Sequence, residues 1–297
     1  MALSKLRHHD RYDYVPIIER PDFTWPGGKR LAVCICNNIE IFSFLSGLGS
    51  DSAMLGAGQT TRNYAWRDYG NRVGIWYLFD LLDEYAMPAS HNFNSLLFEG
   101  CPQIAARISA RGDEFVGHGR TNAERQDVLS ADEERGLIVE ATEAIRIHTG
   151  RPPEGWLGPY LAQTETTLDM LKEAGYSYVL DWPADDQPFW MRTRAGAILS
   201  VPYSIELNDS PVMVFRQQGA GEFRRMMIDQ FDEMLLQSVK YPLVYTIVLH
   251  PFVIGQPYRL RALRAALDHI AAHRDDIWLA TPGAVARHYS QLFPPPS

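Results

Sequence analysis

The feature that most constrains this chain is where its polar residues fall relative to its apolar runs. Leu31-Ala-Val-Cys-Ile-Cys36 ends in Asn37, Asn38 and Glu40; Glu114-Phe-Val-Gly117 ends on His118; the run over residues 243–249 ends on His250. Between such runs lie stretches of helical periodicity. Alternation of this kind specifies a parallel sheet covered by helices. In such sheets the binding site lies beyond the carboxyl ends of the strands. The chain is therefore expected to be α/β, with chemistry gathered at one end.

The spacing predicts helices over residues 72–85 (Ile75, Leu78, Leu81 and Leu82 inward), 101–111, 164–174, 222–240 and 259–273. Ser130-Ala-Asp-Glu133 has the form of a capping box and opens a helix to about residue 148. Strands are expected at 30–36, 88–93, 114–117, 155–157, 178–181, 198–202, 212–215, 243–249 and 278–280. Residues 1–28 read as an extended arm ending in the turn Trp25-Pro-Gly-Gly28. Residues 29–290 read as one domain, since no linker or low-complexity tract divides them.

A net charge of −8 argues against nucleic acid as the default partner. No stretch is apolar for long enough to span a membrane, and the first ten residues lack the apolar core of a signal peptide. Three cysteines form no metal-binding spacing; Cys34 and Cys36 share one face of a strand and read as small buried hydrophobes. The expectation is a reduced, cytoplasmic protein.

If the sheet is a barrel, Glu40, His118 and His250, each at the C-terminal end of a strand, converge. Two imidazoles and a carboxylate can act as general acid and base or as metal ligands. Asp181-Trp182-Pro-Ala-Asp185-Asp186 and Tyr203-Ser-Ile-Glu206-Leu-Asn208-Asp209 read as rim loops of a small polar pocket, or as turns stabilised by Asx side chains. The cluster Tyr64-Ala-Trp66-Arg67-Asp68-Tyr69-Gly70-Asn71-Arg72 offers a planar guanidinium for a carboxylate or imide oxygen, or forms surface salt bridges. There is no phosphate-binding glycine loop and no Gly-x-Ser-x-Gly nucleophile motif.

The order Asn38-x-Glu40, His118-Gly119, Gly158-Pro159-Tyr160, Asp181 to Pro188, Pro202-Tyr203 to Asn208-Asp209 and Leu249-His250-Pro251 resembles the polysaccharide deacetylase (NodB-homology) superfamily. More narrowly, it is similar to the branch containing metal-independent allantoinases and cyclic-imide hydrolases. The resemblance spans roughly residues 12–290. It implies a distorted (β/α) barrel of about seven parallel strands, assembled as a homo-oligomer, dimer or tetramer. The family pattern has an Asp base, an Asp metal ligand and two His ligands four apart. Here those positions hold Asn38, Glu40, His118 and Asn122, and Leu157 stands where an Arg normally holds the base.

An amide oxygen is a poor zinc ligand, so the resemblance implies no cofactor. Zinc on Glu40, His118 and Asn122 is the alternative. The implied reaction is ring opening of a small cyclic amide, ureide or imide. Glu40 or His118 activates water, His250 serves the leaving nitrogen, Asn38 sits beside them, and Arg72 and Asn122 stabilise the attacked oxygen. Pro159, Tyr160, Trp182, Asp185, Asp186, Glu206 and Asn208 are expected around the substrate. The competing expectations are a metal-dependent deacetylase of a carbohydrate or small N-acetyl compound, and a non-catalytic binding protein.

Overall fold

The computed structural model describes residues 7–49 and 58–296; the part of the expected arm at residues 1–6 lies outside them. The fold is built on β1 (Leu31–Ile39), buried along its whole length. Alternation gives the strand two apolar faces. Leu31, Val33 and Ile35 pack toward helices, while Ala32, Cys34 and Cys36 face the interior with Tyr178, Leu199, Tyr203 and Val248. Small residues on the inner face of β1 leave room for those two tyrosines.

Among the described residues, eight further strands complete one curled sheet: β2 (Ser90–Phe93), β3 (Glu114–Gly117), β4 (Gly155–Trp156), β5 (Tyr178–Val179), β6 (Phe189–Thr193), β7 (Gly196–Ser200), β8 (Leu243–Leu249) and β9 (Ile277–Ala280). Their order is β6-β7-β5-β4-β3-β2-β1-β8, with β9 on the first half of β1. All pairs are parallel except the β6–β7 hairpin. Among the described residues no ladder joins the sheet's two edges, β6 and β8. Loops bridge the seam instead: Val244 N–H donates to Asp186 O (2.9 Å), Val248 N–H to Leu207 O (3.0 Å), and Asn208 makes a single parallel bridge to Val248. The result is the expected single-domain, distorted half-barrel.

The helices are α1 (Thr61–Tyr69), α2 (Ile75–Glu84), α3 (Leu97–Gly100), α4 (Pro102–Arg111), α5 (Ala131–Thr149), α6 (Thr167–Glu173), α7 (Ala220–Ser238), α8 (Pro251–Ile254), α9 (Pro257–Ala272) and α10 (Pro282–Leu292). Ser130 and Glu133 form the capping box at the start of α5 as expected. Two elements differ from expectation. Residues 212–215 are not a strand but part of a π-helical turn, Ser210–Phe215. Pro211 lacks the N–H a ladder needs, and its fixed φ suits a helical start. The helix expected over 72–85 begins at Ile75, preceded by a second π-helical turn at Gly70–Gly74. That turn lies directly on α8: a Cβ on Gly74 would sit 2.1 Å from Pro251 O. Strand β6 and helices α1, α3, α8 and α10 have no counterpart among the elements expected from the sequence.

The arm packs on its own barrel. Arg11 pairs bidentately with Asp169 (2.8 and 3.0 Å), Arg20 with Asp185, and buried Trp25 donates its Nε1–H to Leu243 O (3.0 Å). Among the described residues, no helix is long and apolar enough to cross a membrane.

Candidate active site

Glu40 follows β1, His118 follows β3 and His250 follows β8. Because β8 adjoins β1 and β3 lies two strands away on the other side, their carboxyl ends bring the three side chains together. Glu40 Oε1 lies 3.8 Å from His118 Nε2 and 3.6 Å from His250 Nε2. The Glu40 and His118 side chains are 6% and 2% exposed, so their charges act with little screening by water.

Each imidazole is fixed by its other nitrogen. His118 Nδ1 is 2.6 Å from Leu157 O, which can only accept, so Nδ1 carries the proton. In the neutral ring the lone pair then falls on Nε2, which is buried with no hydrogen-bond partner among the described residues. Asn94 holds the same loop: its Nδ2 donates to His118 O and its Oδ1 accepts the Ile41 N–H (2.9 Å). His250 Nδ1 is 2.7 Å from Asp209 Oδ1, and Asp209 Oδ2 accepts the His250 backbone N–H at 2.9 Å.

These contacts set the charges. Burial alone would raise the Glu40 pKa, but His250, His118 and Arg67 together hold it below the usual carboxylate range. Burial opposes a charged His250, but Asp209 and Glu40 outweigh it and hold its pKa above that of a free imidazole. The site therefore sets a carboxylate with a lowered pKa between two imidazoles, one with its Nε2 unpaired and one whose pKa is raised.

Asn38 lies behind this group. Its amide is held by Tyr203 (Nδ2 to the hydroxyl, 3.0 Å) and by Asn92, whose Nδ2 donates to its Oδ1 at 2.9 Å. An amide so held orders the site and exchanges no proton. Asn122 is buried; its N–H donates to Ile41 O (2.9 Å), its carbonyl accepts the Tyr160 hydroxyl (2.9 Å), and its Oδ1 has no partner among the described residues. Tyr160 itself sits at φ 63°, a left-handed conformation that a non-glycine residue adopts at a cost. Pro159 is buried against Gly119.

The guanidinium at the site is Arg67 rather than Arg72. Arg67 lies over the Phe42 ring (3.8 Å to its centroid), hydrogen-bonds Tyr160 and acts electrostatically on Glu40. Arg72 is 75% exposed, 3.9 Å from Asp68. Five residues apart, the two arginines point in different directions from the helix, and the intervening π-helical turn shifts the phase further.

Several expected residues lie elsewhere. Asp185, Asp186 and Glu206 line a separate cavity of about 350 Å³ over the seam between the sheet's edges, with Asp185 paired to Arg20 and Glu206 to Arg216. Asn208 accepts the Ser210 N–H (3.2 Å), a local turn contact just before the π-helical turn. Trp182 donates to Gln163 Oε1 (2.9 Å) and packs on His9 and Tyr12 of the arm. Asp181 is buried beneath the Gly158 N–H (2.7 Å), and burial pushes its pKa up to about 8. Arg67 and Asp209 are side chains of this cluster that the sequence alone did not single out as site residues. Asp209 adjoins Asn208 in a stretch it did single out.

The family's metal positions here offer one imidazole (His118), one carboxylate (Glu40) and one amide oxygen (Asn122). Replacing a second imidazole with a carboxamide gives a donor set that fits tightly held zinc poorly.

Residues 66–179 match the family model for polysaccharide deacetylase. The chain is 24% identical over 243 residues to a peptidoglycan deacetylase of Helicobacter pylori, covering 71% of this chain and 82% of that protein. Among solved structures it resembles the PuuE allantoinase (24% identity, TM-score 0.84, 95% of this chain and 99% of that one). It also resembles a probable polysaccharide deacetylase of Pseudomonas aeruginosa PAO1 (25% identity, TM-score 0.81, 93% and 96%).

Proposed function

We propose that this chain, which carries a polysaccharide deacetylase domain over residues 66–179, hydrolyses a carbon–nitrogen bond in a small cyclic amide, ureide or imide, using protein groups alone. The observation that carries the reading is the unpaired Nε2 of His118 facing Glu40, opposite the His250 imidazole that Asp209 holds at Nδ1. His118 Nε2 takes a proton from water as its oxygen attacks the ring carbonyl carbon. Glu40 stays ionised and stabilises the imidazolium that forms. Arg67 balances charge on the former carbonyl oxygen. The C–N bond then breaks, and His250 Nε2 gives its proton to the departing nitrogen. The products are a ring-opened acid and a nitrogen restored to N–H.

Strained or electron-poor rings lower the barrier for such a route relative to plain amides. That one similar structure is named an allantoinase supports the cyclic side of this reading. The reading includes a homo-oligomer, supported by Tyr14, Val15 and Ile18, which stand exposed on the arm.

A second reading rests on the same histidine. A carbonyl on Nδ1 is how a metal-bound imidazole is commonly oriented, and Asn122 Oδ1 has no partner among the described residues. That arrangement would suit a metal-dependent deacetylase. The deciding experiment measures turnover of cyclic imides, ureides and N-acetyl sugars by chelated protein, with residual metal quantified. Ring opening by metal-free protein supports the first reading. Activity that returns only with zinc, and only on N-acetyl substrates, replaces it with the second.

A further inference from the structure

On the far side of the helical layer, the packing of α7 against α9 creates a constellation unconnected with Glu40. His269 and His273 stand four residues apart, His269 on α9 and His273 at its C-cap, so both rings leave the same face. Asp232 comes from the neighbouring helix α7. One nitrogen from each ring and one Asp232 oxygen all lie within 4.8 Å of one another. Asp232 Oδ1 is already 2.6 Å from His269 Nε2.

The rings are held in place before any ligand arrives. Fully buried Phe231 packs edge-on against His269 (centroids 5.9 Å apart) and tilted against His273 (5.6 Å). Asp276 Oδ2 lies 3.4 Å from His273 Nδ1, so a ligating Nε2 would have a carboxylate behind it, the usual support for a metal-bound imidazole. The three side chains are 33%, 37% and 52% exposed (His269, His273, Asp232), leaving an ion open to water on its outer side.

We propose that Asp232, His269 and His273 bind a divalent transition metal, zinc above all, in a surface site that ties α7 to α9. Two imidazoles and one carboxylate suit zinc, nickel or copper; calcium and magnesium prefer all-oxygen cages. Water fills the remaining positions. Because the ligands come from two helices, the ion joins them in the folded state and is lost on unfolding, so binding stabilises the fold. The site also bears on any metal analysis of this protein: zinc found with it need not sit near Glu40.

The test is equilibrium dialysis of chelated full-length protein against zinc chloride, with metal counted per chain, and cobalt absorption as a second probe of the ligands. One zinc per chain is expected in wild type and in Glu40→Gln. His269→Ala and Asp232→Asn should each weaken binding roughly tenfold or more, and His269→Ala/His273→Ala should abolish it along with the cobalt bands. Circular dichroism checks that the variants fold, and their ring-opening rates should match wild type. Excess zinc should raise the wild-type Tm by a few degrees and leave the double variant unmoved. Undiminished zinc in the folded double variant, zinc lost in Glu40→Gln instead, or no zinc on wild type up to about 1 mM would overturn the proposal.

Discussion

Asp209 grips His250 twice, accepting the backbone N–H with one carboxylate oxygen (2.9 Å) and facing ring Nδ1 with the other (2.7 Å). The pair fixes the ring's orientation and its charge together. Replacing Asp209 with Asn keeps the shape and removes the charge, so His250 should release its proton at lower pH. The basic limb of kcat/KM then moves to lower pH, and kcat should fall about 100-fold. An unmoved limb would mean that His250 is not the acid.

The same pair fixes a sign for stability. The folded pKa of His250 is raised, so its contribution is fully present below about pH 6.5, the unfolded value. It is lost as pH rises through the higher folded value. Urea unfolding of wild type and Asp209→Asn should therefore differ most in mildly acidic buffer and less above the folded pKa. A gap that widens with pH would contradict the charge assignment.

His118→Gln removes the base. With His118 taking the proton, the loss in kcat should be roughly 100- to 10,000-fold. Glu40→Gln removes the charge beside it and should also cost kcat more than KM. Burst-free steady-state rates on the best ring substrate measure both.

Arg67 and Arg72 make opposite predictions. Arg67→Met should cost about tenfold or more in kcat/KM. Arg72→Ala should leave rates within about twofold and stability within about 0.5 kcal/mol, as for most exposed positions. The reverse result would put Arg72 back at the site.

Gly74→Ala tests the support beneath His250. The added Cβ would fall 2.1 Å from Pro251 O, backbone against backbone, where no rotamer change relieves it. A loss of about 2 kcal/mol or more is expected, read as a lower urea midpoint.

Much of this architecture could be read from residues in order. A buried strand that stops on a carboxylate or imidazole marks the end of a sheet, and that rule located Glu40, His118 and His250. Ser130 and Glu133 were legible because a capping box is local. Arg67 was not: choosing it over Arg72 requires the helix phase, and the turn at Gly70–Gly74 breaks the 3.6-residue repeat. Residues 212–215 misled for a related reason, since a short Val-Met-Val-Phe run fits a strand by composition while Pro211 before it starts a helical turn. Asp185, Asp186 and Glu206 have the right chemistry for a binding site. Their placement is set by Arg20, Arg216 and the barrel seam, partners remote in sequence or invisible to local pattern.

The neighbours of β1 also order events in time. Glu40 stands at the end of the first strand, yet that strand pairs with β8 and β9, near the other end of the chain. During synthesis, β1 waits with an open edge while some two hundred residues follow. Glu40 meets His250 only after β8 has emerged and docked. A nascent chain halted before Leu243 would thus hold a carboxylate without its acid partner, and catalysis would begin only once the sheet is nearly whole.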